Sequence, residues 1–372
     1  MSGIYIHIPF CSGKCNYCDF VSFGGAGDKI DRYLDALNAE MLVRRGYAAK
    51  TLYIGGGSPS ELSAAQIKRL LLSVQENFGP VREFEESTFE ANPESLSREK
   101  MAMLWQFGIN RISLGLQAAQ ERLLNFLGRR HTFAQFESAV RDLRALGFEN
   151  LNADLMIGIP GQSKADFLES LDKLTEPGLE HISIYSLQVE RGTPFYANGV
   201  KSDDENARRF YDLARRRLKK LGYAHYEISN FALPGKESKH NINYWDSGEY
   251  LGFGLAAASY IGGVRRSNTV NLELYCAALL EGGARAASVF AEELKGKEKL
   301  GESLMLGLRK LDGVALVPEI TENFGVQVAA LRKKKLLKLS GGKLRLTERG
   351  LYLSNAVFRC FVPPELAAGE FQ

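Results

Sequence analysis

The stretch Ile4-Tyr5-Ile6-His7-Ile8-Pro9-Phe10-Cys11-Ser12-Gly13-Lys14-Cys15-Asn16-Tyr17-Cys18 sets the reading of the whole chain. Its first five residues are β-branched or aromatic and predict a strand over Ile4–Ile8. Directly after that strand come three cysteines in C-x3-C-x2-C spacing. Thiolates suit zinc and iron–sulfur clusters. A structural zinc site needs a closed set of about four ligands, and only three cysteines cluster here, with His7 preceding them on the strand. A three-thiolate site leaves one iron of a cubane open to an exchangeable ligand, and an open iron beside a strand end is a place for chemistry.

Working outward, the first 220 residues alternate β-rich runs with helical periodicity. The predicted strands are Ile4–Ile8, Thr51–Ile54, Ser87–Glu90, Arg111–Leu114, Asn152–Met156 and Ile182–Leu187. Between and after them the predicted helices run over Ile30–Arg44, Ala64–Phe78, Ser97–Phe107, Phe133–Leu146, Ala165–Leu174 and Glu205–Leu221. Ser97 reads as an N-cap, and Gly108 and Gly147 stand where C-caps fall. Six strand-then-helix units predict a parallel sheet with right-handed crossovers. Periodicity alone leaves a partial barrel and an open doubly wound sheet both standing.

Near Tyr223 the pattern changes, and residues 225–271 are rich in Asn, Tyr, Gly and Ser without a clean helical period. Helices return near Leu300. The chain then shows a turn at Gly341–Gly342, an alternating strand (Lys343–Thr347) and a closing helix, the outline of a small winged-helix unit. The expected organisation is a barrel-type domain over 1–222, a linking segment over 223–295 and a C-terminal unit over 296–372.

Composition bounds the function classes. Lys+Arg 47 against Asp+Glu 44 gives a net charge of only +3, without the basic excess of a typical nucleic-acid binder. The run Arg332-Lys333-Lys334-Lys335 reads as a solvated helix face beside a domain junction. The N-terminus shows no secretory signal, and the apolar segment Leu251–Gly263 falls short of the roughly 20 residues a membrane-spanning helix needs. The expected location is the cytoplasm, with peripheral membrane contact left open. Five cysteines, three of them within eight residues, argue for metal or redox chemistry in a reducing compartment rather than for disulfides.

Polar residues mark the ends of the later strands. Gly55-Gly56-Gly57-Ser58-Pro59 follows the second and admits close backbone approach. Glu90 ends the third, Gln117 follows the fourth, and Asp154 sits in the fifth within NADLMIGIPGQ. In parallel α/β folds, ligand sites form at the C-terminal strand ends. Taken singly, each residue reads equally well as a loop or capping group.

The cysteine spacing followed by the glycine loop resembles the radical S-adenosylmethionine (SAM) family. YIHIPFC, GGGSPS, the Glu90-Ala-Asn-Pro stretch, RISLGLQ, LGRRH and DLMIGIPGQ, in that order, resemble the oxygen-independent coproporphyrinogen III oxidases and their relatives over nearly the whole chain. The resemblance implies a partial (βα)6 barrel with a smaller C-terminal α+β, winged-helix-like domain. It implies a [4Fe–4S] cluster held by Cys11, Cys15 and Cys18, and SAM chelating the fourth iron. A reduced cluster would cleave SAM to methionine and a 5′-deoxyadenosyl radical. Matching positions imply that Tyr5 and Tyr17 flank cluster and SAM, and that Gly56, Gly57 and Ser58 contact its methionyl end. Glu90, Gln117, Arg129 and Asp154 would hold its other polar groups, with Gln188 near the adenosine. Some corresponding positions in the oxidases bind a second SAM.

Two departures count against the oxidase. That enzyme carries a fourth cysteine two residues after the third, where this chain has Phe20, and it has an N-terminal extension lacking here. Both agree with the HemW branch of haem chaperones, as does His240-Asn241-Ile242-Asn243-Tyr244-Trp245, which resembles that branch's HNxxYW motif. The resemblance implies haem as ligand, with His240 as a candidate axial ligand and Cys276, Cys360 and His225 as competitors. A neutral imidazole ligates haem iron, and Tyr244 and Trp245 offer stacking surfaces. The expected partners are haem, an acceptor haemoprotein such as a respiratory enzyme, an electron donor and a second copy of the chain. Coproporphyrinogen decarboxylation and radical haem degradation are the competing functions.

Overall fold

The computed structural model describes residues 1–25, 27–282 and 287–362. The end of the expected C-terminal unit, beyond 362, lies outside them. Six strands, β1 (Ser2–Ile8), β2 (Thr51–Gly56), β3 (Glu86–Ala91), β4 (Arg111–Gln117), β5 (Leu151–Ile157) and β6 (His181–Ser186), pair side by side in chain order and all parallel. A doubly wound sheet reverses its strand order at a switch point; this one does not. The topology therefore settles what periodicity left open, and the six units wind as a partial barrel.

The helices that return the chain are α1 (Ile30–Leu42), α2 (Ala64–Phe78), α3 (Arg98–Phe107), α4 (Phe133–Leu146), α5 (Lys164–Thr175) and α6 (Asp204–Lys220). Local chemistry fixes their ends. The Ser97 side chain accepts from the Lys100 N–H at the start of α3, and Gly108 and Gly147 end α3 and α4 at φ 95° and 101°, a left-handed conformation glycine adopts without steric cost. Alternate residues on each strand face outward and form one core with the helices: Ile112, Leu114 and Leu116 from β4, and Ala153, Leu155 and Ile157 from β5.

Further strands lying between residues 224 and 293 extend this same sheet. Strands β7 (Ala224–His225) and β8 (Asn230–Ala232) add antiparallel beyond β6. Helix α7 (Lys239–Trp245) carries the HNINYW motif. Strand β9 (Glu249–Phe253) then pairs parallel with β1 on its free side. Strands β10 (Ala258–Ile261), β11 (Val264–Asn268) and β12 (Ser288–Glu293) continue outward antiparallel, giving twelve strands among the described residues in the order β12-β11-β10-β9-β1-β2-β3-β4-β5-β6-β8-β7. Helix α8 (Leu272–Leu280) packs beside α1.

The C-terminal unit has its own hydrophobic core. Helices α9 (Gly296–Gly307) and α10 (Pro318–Lys333) pack with a small sheet of β13 (Val314–Ala315), β14 (Leu337–Ser340) and β15 (Lys343–Leu346). The last two form a hairpin through Gly341 and Gly342, both at positive φ, the winged-helix outline. Arg332 to Lys335 are exposed to solvent.

Candidate functional site

Because side chains alternate along a strand, every second residue of the barrel strands points inward, and here those residues are mostly polar. Tyr5, Tyr53, Glu90, Arg111, Ser113, Asn152, Asp154 and Tyr185 line the interior. The barrel opens into a cleft of about 1800 Å³. Cys11, Cys15, Cys18, Tyr5, Tyr17, Gly56, Gly57, Ser58, Glu90, Gln117, Arg129, Asp154, Gln188 and His240 all line it, so residues spread over more than half the chain share one space.

The cysteine loop is anchored on three sides. The Phe23 N–H donates to the Pro9 carbonyl (2.8 Å), the Asn16 N–H to Leu127 (3.0 Å), and the Asn16 side chain to Phe126 (2.8 Å). His7 steadies its base: Nε2 bonds the Val21 carbonyl at 2.9 Å, and Nδ1 meets the Tyr5 hydroxyl at 3.0 Å. A carbonyl only accepts, so Nε2 carries the proton and Nδ1 accepts from Tyr5. All three thiols are free and half-buried. Burial pushes the Cys11 thiol up to about 11 and raises that of Cys18; coordination to a metal deprotonates such a thiol outright. Among the described residues no group of His, Cys, Asp or Glu is placed to hold a single metal ion. A cubane takes each thiolate on a different iron.

The glycine loop lies against this cysteine loop. The Gly57 N–H donates to Ile8 and the Ser58 N–H to Phe10, both at 2.9 Å, and a Cβ on Gly57 would stand 2.9 Å from the Phe10 carbonyl oxygen. Glycine is required there by the approach of the chain to itself. The Gly56 N–H donates to Glu90 Oε2 at 3.2 Å. With these three N–H groups engaged, what the loop offers a ligand is acceptors, the complement of an ammonium group.

Asn92 ties the next strand ends together. Its Nδ2 donates to the Ser58 hydroxyl, and its Oδ1 accepts from Arg129 Nη2 at 2.7 Å. Arg129 also donates to the Gly115 carbonyl at 2.7 Å and sets Nη1 3.7 Å from Cys15 Sγ, while its Nε is buried without a partner. Gln117 sits at φ 71° where the β4–β5 register slips, and its Oε1 accepts from the Tyr185 hydroxyl at 2.7 Å. Glu90 accepts from the Tyr53 hydroxyl. Burial, with Asp154 nearby, pushes Glu90 up to about 7, and burial raises Asp154 as well. Beneath them an inner cavity of about 190 Å³ contains the Arg111 guanidinium, 2% exposed and with its Nε unpartnered. One cation thus faces two carboxyls.

His240 lies on α7, which packs against β1 and β2. It is 1% exposed, with Nδ1 bonded to Thr51 Oγ1 and Nε2 to the Tyr244 hydroxyl, both at 2.8 Å. Burial lowers it to about 3, so the ring is neutral. Both ring nitrogens are thus engaged in this structure, and His240 packs α7 against the barrel strands. Of the competitors, Cys276 is buried in the barrel core, Cys360 is exposed, and His225 stacks on Phe231 with centroids 4.2 Å apart.

Asn92, Tyr53, Arg111 and Glu86 were not singled out from sequence. Glu86 is 3% exposed and accepts from the N–H groups of Lys239 and His240, both at 2.9 Å, capping α7. For Arg111 a signal existed: in RISLGLQ, residues 111, 113, 115 and 117 share the inward face of a buried parallel strand, where a charge is costly unless used.

Comparison with known proteins accords with this geometry. Residues 5–174 match the radical SAM superfamily, and residues 294–353 match the HemN C-terminal domain. The heme chaperone HemW of Lactococcus lactis is 39% identical over 96% of this chain and 96% of its own length. The chain belongs to the HemW family. The HemW of Bacillus subtilis is 37% identical over 97% of this chain and 99% of the relative. The structure of the coproporphyrinogen III oxidase HemN of Escherichia coli superposes with TM-score 0.85, covering 97% of this chain and 89% of that one at 23% identity, which establishes a common fold. Membership of the HemW family within the radical SAM superfamily implies a [4Fe–4S] cluster and SAM. The three free, half-buried thiols of one loop fit the former, and the acceptor-rich glycine loop and the unpartnered Arg129 Nε fit the latter. Among the described residues no helix is long and apolar enough to cross a membrane.

Proposed function

We propose that this protein is a haem carrier: it binds a [4Fe–4S] cluster, SAM and haem in one cleft and passes haem to an apo-haemoprotein, such as a respiratory enzyme. The observation that carries this reading is the cleft itself. At about 1800 Å³ it exceeds the roughly 300–1,000 Å³ typical of a small-molecule site. Its walls run from the cysteines to Tyr244, Trp245, Tyr250, Met305 and Leu306, a mixed aromatic and aliphatic surface suited to a macrocycle. The relatives' designation as heme chaperones points the same way.

In this reading Cys11, Cys15 and Cys18 each bind one iron. The carbonyls of Gly56 and Gly57 and the Ser58 hydroxyl accept from the SAM ammonium, and Arg129 donates to its carboxylate. Glu90, Gln117, Asp154 and Gln188 take the ribose and adenine, with Tyr5 and Tyr17 closing the sides. When bound and reduced, the cluster supplies the electron that cleaves SAM. The chain's own task is to orient these groups and exclude water. Reduction calls for an electron donor, and we place the protein, as a homodimer, in the reducing cytoplasm, where its cysteines are not drawn into disulfides. Phe20, at the place of the oxidase's fourth cysteine, is 50% exposed and brings no reactive group to the site.

The test is anaerobic incubation of the reconstituted protein with haem, SAM and a strong reductant, followed by mass analysis and addition of an apo-haemoprotein. Intact haem that moves to the acceptor supports the carrier. Chemically altered haem, or coproporphyrinogen decarboxylated in a parallel assay, would replace this reading with a radical enzyme.

A further inference from the structure

Where α7 ends and α9 gives way to the loop before β13, polar atoms with no internal use meet at the cleft. Trp245, the last residue of α7, has its indole Nε1–H buried and without a partner. The Arg309 guanidinium carbon stands 4.3 Å from the centre of the Trp245 rings, and Arg309 Nε is likewise buried and unpartnered. Both residues line the cleft.

Two donors left unsatisfied at one wall are costly in the free protein. The carboxyl nearest in effect belongs to Glu227, which is 1% exposed, engages the Ser229 N–H at 3.1 Å through Oε1, and leaves Oε2 unpartnered. Burial raises Glu227 toward its neutral form and disfavours the charge on Arg309. Arg265, in contrast, also lines the cleft but is neutralised by Glu302, with Glu292 at 4.0 Å. Among the described residues Arg309 forms no ion pair of that kind; the carboxyl that acts on it is the buried Glu227.

We propose that Trp245 and Arg309 form a subsite for a carboxylate side chain of the bound ligand, which on the haem-carrier reading is a propionate of haem. An indole N–H donates only, and a guanidinium presents a fork matched to a carboxylate. Together they place two carboxylate donors on one wall of the cleft. Tyr244, Tyr250, Met305 and Leu306 flank the pair along the same cleft, so a flat apolar ring would lie against them while its acidic arm reaches the donors. The motif tryptophan thereby gains a polar role beside the stacking one.

The test compares haem with haem dimethyl ester, whose propionates carry no charge, in titrations of the full chain. Wild type should bind haem at least about tenfold tighter than the ester, the scale of a charge-assisted hydrogen-bonded pair. Trp245→Phe, which keeps the ring and removes the N–H, and Arg309→Met should each erase most of that preference. Their affinity for the ester should stay within about twofold of wild type, well below the effect of losing such a pair. Equal affinity of wild type for both ligands, or variants that weaken both equally, would overturn the subsite and leave the carrier reading intact. Failure of wild type to bind either ligand would remove both.

Discussion

Arg129 and Cys15 meet across the barrel mouth, with the guanidinium Nη1 3.7 Å from the sulfur. The same guanidinium grips Asn92 and the Gly115 carbonyl, so one side chain couples the cysteine loop to the ends of β3 and β4. Lysine would keep the charge and lose the fork. Arg129→Lys should weaken SAM binding about tenfold or more, the scale of a lost charge-assisted hydrogen bond, and Arg129→Leu should also make the cluster harder to reduce. Calorimetric SAM titration and an EPR-monitored redox titration read the two effects.

Cys15 is the middle one of the three clustered cysteines. Cys15→Ser should abolish the brown absorbance after anaerobic reconstitution while leaving the circular dichroism unchanged, because the loop is anchored by Phe23, Asn16 and His7 rather than by metal. An intact cluster spectrum would refute the ligand assignment.

Glu90 makes stability depend on pH. Its folded-state value of about 7 lies above the ordinary 4.5, so between these limits the native protein binds the proton that the unfolded chain has lost. The contribution of this group falls as pH rises from 4.5 to about 7 and is level beyond. Glu90→Gln removes the penalty, so the variant should gain on wild type by up to about 3 kcal/mol between pH 5 and 8. Urea unfolding at both pH values measures it, and a pH-independent difference would count against the buried, protonated carboxyl.

Glu86 holds the N-terminal end of α7 through two backbone N–H groups and the Ser238 hydroxyl. Glu86→Gln should destabilise the fold by about 1–3 kcal/mol, the range for disturbing buried charge-assisted hydrogen bonds. Limited proteolysis near residues 236–246 should accelerate in step.

His240 is held by Thr51 and Tyr244. His240→Gln should lower the thermal midpoint while leaving the position of the bound-haem absorption band unchanged, because the ring packs the helix. A shifted band would restore the imidazole as iron ligand.

The barrel was legible because its signals are local. Strand-then-helix alternation, the Ser97 cap and the glycines at 108 and 147 each act within a few residues. The cysteine spacing was legible for the same reason. The pairing of β9 with β1 was not, since Glu249–Phe253 is short, lacks a repeating pattern and meets a partner from the opposite end of the chain. α7, at seven residues, is too short to show a period. The engagement of His240 depends on Thr51, 189 residues earlier, and motif reading has no access to such a contact. Arg111 falls between these cases, visible as an inward-facing charge once the strand was placed, but without its cavity.

The position of β1 in the sheet has a consequence for biogenesis. The strand that leads into the cysteine loop is bonded by β2 on one side and by β9 on the other, so half of its hydrogen-bonding edge waits for residues 249–253 to be synthesised. Until the ribosome has passed them, the cysteine loop hangs from an open edge strand. A truncated product ending before Glu249 would therefore present an unpaired sheet edge beside the three cysteines.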